Sequence, residues 1–396
     1  MIEQLFRANQ EFNEEAMATL LQKQYQFTIA EGALGRLQDT VIRLASHQNS
    51  TSPTIKKPWV AIFASDHGIA EEDVSESPQE MTAKWVEAFC EGKSAINALA
   101  DFSKMDAEII DVGVVSDLPK HNNLIQAKVA SGTANFTKQA AMSQAQLIQA
   151  LEVGMAAAER AKEAGADLFV SGEMGVANTT SAIAMMSVLS GKQAEELLIM
   201  GRARLMRSDR DRAELIMNAL ELHKDALTSP LRILQYLGGF ETAALCGAYI
   251  RCAQLGLTVV VDGFMASVAA WIADLVSRND QLMHCKSVEM MMDLGKYSVP
   301  ETLFCICGDC PRLVEWCFFA HQSAENMHEL LLEILAVDPI LKFDMKLGQA
   351  TGAALVVPLI RQACLVQNHL ASFVVESDEQ DDIQNDAASA ESLIFS

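Results

Sequence analysis

Apolar runs of strand type, separated by longer helical stretches, predict an α/β fold. The expected form is a doubly wound, mainly parallel sheet flanked by helices, with a small helical domain from the N- and C-terminal segments. Three observations carry this. The runs at 59–64, 109–115, 167–170 and 257–261 are almost wholly apolar, as in strands covered on both faces. The stretches between them are long and of helical spacing, which parallel strands need as crossovers. Half of the 396 residues are hydrophobic but only 6% are aromatic, so Ala, Leu, Met and Val fill a helix-rich core.

In chain order, residues 1–50 read as polar helix, closed by a Ser/Thr-rich break at 47–54. The first strand ends at Asp66-His67-Gly68, and an acidic loop follows over 69–80. Residues 82–99 have helical spacing, with Thr82 placed to cap them. A long Ala-rich helix at 143–164 leads into the strand 167–170 and a Gly-rich turn. Helices at 213–222 and 241–254 precede the strand 257–261. A further strand is expected at 303–306, with helices at 325–336 and 352–365. This divides the chain into a helical part (1–55), a Rossmann-like large domain (56–335) and C-terminal helices that complete the small domain and the active site (336–374). Residues 375–396 carry Glu376, Asp378, Glu379, Asp381, Asp382, Asp386 and Glu391 among Ser, Gln and Ala, and read as a disordered acidic tail.

The formal net charge is −22, from 30 basic and 52 acidic residues. So acidic a surface repels nucleic acid and anionic lipid, and neither is expected as a partner. Any phosphate site must be built locally. The start of the chain shows no basic region leading into an apolar run, so no signal peptide is expected. The apolar stretch 257–276 is broken by Asp262 and Asp274, and no segment reads as a membrane span. Nine scattered cysteines suit free thiols in a reducing cytoplasm.

Several segments carry candidate chemistry. Ser171-Gly172-Glu173-Met174-Gly175, followed by Asn178 and Thr179, joins a strand to a helix. Such a turn offers backbone N–H groups and a helix N-terminus to a phosphate, with Glu173 beside the ligand; it reads equally as a tight turn with a capping pair. His67 could contact a ligand or simply shape a turn. Glu241, after Gly238-Gly239, and Asp262, before Gly263, lie at ligand-facing positions but could also be helix caps. His321 and His328 would share one face if the stretch between them were helical throughout, which is weak evidence for zinc. Cys305, Cys307 and Cys310 match structural zinc spacing poorly and read as small buried thiols.

Five segments, in order, resemble the nicotinate-nucleotide:dimethylbenzimidazole phosphoribosyltransferases. They are Asp66-His67-Gly68; Gly172-Glu173-Met174-Gly175 with Asn178-Thr179-Thr180; Leu237-Gly238-Gly239 with Val261-Asp262-Gly263-Phe264; His321-Gln322-Ser323-Ala324-Glu325 with His328; and Lys346-Leu347-Gly348-Gln349. The resemblance spans roughly residues 10–370. It implies transfer of ribose 5-phosphate from nicotinate mononucleotide to a benzimidazole-type base, in a cytoplasmic homodimer. It implies no metal or cofactor, because the cationic pyridinium is already a good leaving group. Implied binding residues are Asp66, His67, Ser77, Gly172, Gly175, Asn178, Thr179, Arg212, Asp262, Gly263, Ser323 and Leu347, with Ser323 on the phosphate and residues 77–84 lining the base pocket.

Three departures cluster round one ligand. Ser77 stands where the family often has an aromatic residue. The phosphate loop reads Gly201-Arg202-Ala203-Arg204, with arginines in place of glycines. Gln349 occupies the position of the family's general-base glutamate, and an amide takes no proton at neutral pH. Three accounts follow: Glu173 or a water takes the proton; the acceptor is a different base, such as a purine or phenol; or the chain is a weakened or inactive relative that binds the ribotide or a partner subunit.

Overall fold

The computed structural model describes residues 4–5, 7–25, 33–200, 207–284, 312–325 and 327–370. The helices are α1 (Glu14–Tyr25), α2 (Arg36–Gln48), α3 (Met81–Cys90), α4 (Ala95–Ser103), α5 (Gln144–Glu163), α6 (Asn178–Ser190), α7 (Ala194–Ile199), α8 (Arg207–His223), α9 (Pro230–Leu237), α10 (Phe240–Gln254), α11 (Phe264–His284), α12 (His328–Leu335) and α13 (Thr351–His369). The strands are β1 (Pro58–Ser65), β2 (Asp106–Gly113), β3 (Leu124–Gln126), β4 (Leu168–Met174), β5 (Val259–Val261), β6 (Cys317–Phe319), β7 (His321–Gln322) and β8 (Leu341–Lys342).

Strands β1 to β6 form one sheet in the order β3-β2-β1-β4-β5-β6, and every pairing is parallel. The predicted doubly wound α/β fold is therefore present. Its four anticipated strands are β1, β2, β4 and β5. The chain winds outward from β1 to β3, then restarts beside β1 with β4, so the order reverses between β1 and β4. Such a reversal opens a crevice at the carboxyl ends of the strands, the usual ligand edge. Strands β7 and β8 pair separately, also in parallel.

Local chemistry explains the helix limits. The predicted helix at 82–99 is two helices. Gly92 turns the chain with φ +72°, and Ser94 starts α4 with a capping box to Asn97. Ser143 and Gln146 cap α5 the same way. Ser229 caps α9, with Pro230 in its first turn. The helix expected from 325 begins only at His328, and the strand expected at 303–306 lies outside the described residues.

Two compact units divide the chain. One takes residues up to Gln10 and Lys56–Val356, and holds the sheet and the segments singled out above. The other takes Glu11–Ile55 and the residues from Val357 on. Within the second unit, Gln24 Nε2 donates to Gln367 Oε1 at 2.8 Å, and Arg361 Nε donates to the Ile55 carbonyl at 3.0 Å. These bonds join segments over 300 residues apart in sequence. No helix among the described residues is long and apolar enough to cross a membrane.

In the first unit α5 packs on α10 through glycines. A Cβ at Gly154 would lie 1.7 Å from the Ala244 carbonyl oxygen, and one at Gly247 would lie 2.0 Å from that of Leu151. Backbone thus meets backbone, and neither helix can hold a side chain there without moving. Overpacking typically costs about 1–3 kcal/mol, so Gly154→Ala is expected to lower the thermal midpoint by several degrees. A midpoint unchanged in a calorimetric scan would contradict this contact.

Candidate active site

A cavity of about 250 Å³ opens at the carboxyl edge of the sheet. Its walls come from the end of β4 (Glu173, Met174, Gly175) and the first turn of α6 (Asn178, Thr179). The start of α11 (Gly263, Phe264), His321 with Ser323 and Glu325, the loop 346–349 and Trp85 from α3 complete it. The winding of the sheet brings these segments together, since β4 and β5 are neighbours and both end here.

Glu173 is the chemically distinctive wall. Its Oε2 accepts a hydrogen bond from Asn178 Nδ2. Burial first, then the negative charges of Glu241 and Asp262, push its carboxyl up to about 8. At neutral pH most molecules therefore hold a neutral acid there, as expected of a carboxyl moved out of water. The loop carrying Gln349 passes directly over it: a Cβ at Gly348 would lie 3.0 Å from Glu173 Oε1.

Three consecutive residues of that loop are left-handed, Gly348 at φ +69°, Gln349 at +62° and Ala350 at +64°. For the two non-glycine residues this conformation is strained and must be held from outside. Asp262, just past β5, does so. Its Oδ2 accepts from the Ala350 N–H at 3.1 Å and its Oδ1 from the Ala353 N–H at 2.8 Å, which also caps α13. Gly172 completes the seat, since a Cβ there would lie 2.7 Å from Ala350. The Gln349 side chain is 3% exposed. Its Nε2 donates only to the Met174 thioether at 3.6 Å, a weak acceptor, and its Oε1 is buried without a partner.

Behind Ser323 lies a chain of hydrogen bonds. The Ser323 N–H and Oγ both approach His328 Nδ1, at 2.9 and 2.8 Å, and His328 Nε2 lies 3.0 Å from Ser267 Oγ. An N–H donor at Nδ1 fixes that nitrogen as an acceptor, so the proton sits on Nε2. Burial, with His321 nearby, pushes His328 down to about 3, which keeps it neutral. It anchors Ser323 to α11. Because His321 lies on β7 and His328 opens α12, they do not share a helical face. No metal-binding cluster occurs among the described residues, and Cys305, Cys307 and Cys310 lie outside them.

The other predicted residues fall in three places. Gly172, Asp262, Asp66 and His67 are behind the wall. Asp66 Oδ2 accepts from the Val115 N–H at 2.8 Å, and burial raises its pKa. His67 Nε2 lies 2.8 Å from Glu241 Oε1. Burial opposes the charge on His67, but the Glu241 carboxylate outweighs it and the pKa rises. Glu173, Gly175, Asn178, Thr179, Gly263, Ser323, Leu347 and Gln349 line the cavity itself. Ser77 and Arg212 do not line it: Ser77 is exposed, and Arg212 reaches the Val74 carbonyl at 3.1 Å. The aromatic lining comes instead from Trp85, one residue beyond the 77–84 stretch, and from Phe264. Trp85, Lys346, His321 and Glu325 were not among the predicted contacts, though the last three sit inside the quoted motifs.

A family model described as "Phosphoribosyltransferase" matches residues 9–287 and 301–375. A Pseudomonas putida protein is 38% identical over 92% of this chain and 95% of its own length. One from Azotobacter vinelandii is 38% identical over 91% and 94%. Both are named nicotinate-nucleotide–dimethylbenzimidazole phosphoribosyltransferase. A crystal structure of the protein of that name from Thermus thermophilus superposes with a TM-score of 0.78 at 32% identity, covering 91% of this chain and 97% of that one.

The raised Glu173 carboxyl has a stability consequence. The folded state keeps its proton up to about pH 8, whereas the unfolded chain releases it near the ordinary value of 4.5. Its contribution is therefore complete below pH 4.5 and lost as pH rises through 8, at about 1.4 kcal/mol per unit at most. Glu173→Gln removes that dependence. Its thermal midpoint, relative to the unaltered chain, is expected to be higher at about pH 8 than at about pH 5; an equal difference at both pH values would contradict the buried neutral acid.

Proposed function

The chain belongs to this phosphoribosyltransferase family, and from that premise we propose that it moves the ribose 5-phosphate of nicotinate mononucleotide onto 5,6-dimethylbenzimidazole. The products are α-ribazole 5′-phosphate and nicotinate, in nucleotide-loop assembly of cobalamin. A ring nitrogen of the base attacks the anomeric carbon as the bond to the pyridinium nitrogen breaks. The electron pair of that bond leaves with nicotinate, and the configuration inverts from β to α. Attack places positive charge on the benzimidazole, so the hydrogen on its second nitrogen becomes acidic and must be removed.

The observation that carries the assignment of roles is the Glu173 carboxyl, raised to about 8 and lying beside the loop of Gln349. Gln349 cannot accept the proton. Glu173 in its ionised form can, and a raised pKa makes it a stronger base than an ordinary carboxylate. The Gln349 amide then has an orienting role, with its unpartnered Oε1 accepting from the ring N–H before transfer. Trp85 offers an aromatic face to the flat ring. The first turns of α6 and α11, with Lys346, supply the positive ends that suit the phosphate. On the same reading the enzyme is a cytoplasmic homodimer, with an oligomeric state to be measured by light scattering.

General-base catalysis contributes roughly 10²–10⁴-fold. Glu173→Gln is therefore expected to lower kcat by that order. In the unaltered enzyme, kcat should rise with pH and level off above about 8 as Glu173 ionises, and the variant should lose that limb. Gln349→Glu should change kcat by less than about tenfold. The reverse ranking, a tolerated Glu173→Gln beside a large gain from Gln349→Glu, would remove Glu173 as the base. Product is followed by chromatographic detection of α-ribazole phosphate.

A further inference from the structure

Besides Gln349, two residues of the cavity wall have a buried polar atom with no protein partner: Glu325 through Oε2 and His321 through Nδ1. Burying an unsatisfied polar atom is costly, and a wall that carries several is arranged for a ligand that completes them. We infer that His321 and Glu325 form the subsite that grips the two ribose hydroxyls of the nucleotide substrate.

The chemistry of the groups selects that part of the ligand. Glu325 offers acceptors only, when ionised. His321 Nε2 faces the Asp262 carboxylate, 3.8 Å from its Oδ1. At that distance the pair does not fix which ring nitrogen carries a proton, so Nδ1 can accept or donate, and a hydroxyl, which does both, completes it in either form. Glu325 needs a hydrogen-bond donor, so the subsite as a whole wants hydroxyl groups. Once its phosphate is ionised, nicotinate mononucleotide has two, the 2′- and 3′-hydroxyls. Its pyridinium carries no N–H, and its carboxylate and phosphate would be repelled by Glu325. The attacking base has a single N–H, already directed to Gln349 and Glu173.

Both residues are held in place before any ligand arrives. The His321 ring is 2% exposed and is wedged against the start of α13, where a Cβ on Gly352 would lie 2.0 Å from it. Glu325 sits between two backbone ties, Ala324 N–H to the Met345 carbonyl at 2.8 Å and His328 N–H to its own carbonyl at 3.0 Å. The first of these ties it to the segment that carries Gln349. Sugar and base would thus be gripped from one connected frame, with the anomeric carbon between them.

This inference rests on the transferase reading, and the test separates the two. Glu325→Ala and Glu325→Gln are assayed with nicotinate mononucleotide, its 2′-deoxy and 3′-deoxy analogues and dimethylbenzimidazole, after a thermal scan shows both variants folded. Losing a charge-assisted hydrogen bond should raise the KM for nicotinate mononucleotide by about 10–100-fold in the Ala variant, and less in the Gln variant, which keeps an acceptor. The KM for the base should stay the same. With one of the two deoxy analogues, the unaltered enzyme and the Ala variant should converge. An unchanged nucleotide KM, or a rise in the base KM instead, overturns the sugar subsite while leaving the transferase intact. No product from the unaltered enzyme with the natural pair overturns the transferase reading, and the subsite with it.

Discussion

The active site hangs on one buried carboxylate. Asp262 ends β5 and accepts the N–H groups of Ala350 and Ala353. Those bonds hold a loop whose left-handed residues Gln349 and Ala350 would not stay there unaided. The loop in turn brings Gly348 against Glu173, forms part of the cavity wall, and starts α13. Asp262 also faces His321. Sheet, the loop of Gln349 and the proposed sugar subsite therefore share a single anchor. Burial raises its pKa, while His321 and the helix-start N–H groups pull the other way. Removing it would leave several buried N–H groups without acceptors, a larger loss than any one contact to a ligand.

Acidity is the second organising constraint. Glu173, Glu241, Asp262 and Glu325 are close enough that the other three all raise the first. Such a cluster disfavours ionisation, and the protein manages it with neutral and dipolar partners. Asn178 bonds to Glu173, His67 balances Glu241, and helix N-termini face the cavity. A cationic pyridinium ribotide is a suitable guest for acidic walls. Its phosphate needs the opposite environment, and on the proposed reading the openings of α6 and α11 supply it without altering the charge of the chain. His328, kept neutral by burial, holds Ser323 without adding another charge.

Much of this was legible in the sequence, for identifiable reasons. The apolar runs of β1, β2, β4 and β5 stood out because both faces of each strand are covered. Gly172-Glu173-Met174-Gly175 was readable because close backbone approach demands glycine, and Ala350 does lie against Gly172. Strands β3 and β6 are three residues each, and neither leads straight into a long helix as the equally short β5 does. Ser77 and Arg212 were placed by resemblance alone, and the fold carries them off the cavity. Trp85 was hidden inside an amphipathic helix, where an aromatic residue reads as core. The unpartnered atoms of His321 and Glu325 could not be read at all, since an absent hydrogen bond has no signature in a sequence.

Gln349 takes on a different meaning in this setting. A glutamate at that position would stand across one glycine from Glu173, in a cavity already rich in negative charge. A second carboxyl there would add to the negative charges that already raise Glu173. An amide of nearly the same shape keeps the fit over Met174 and avoids that repulsion. With Glu173 as the base proposed above, the glutamine removes a redundant base more than a unique one, because burial already raises the Glu173 carboxyl. The departure from the family pattern and the raised carboxyl of Glu173 are then two parts of one electrostatic arrangement.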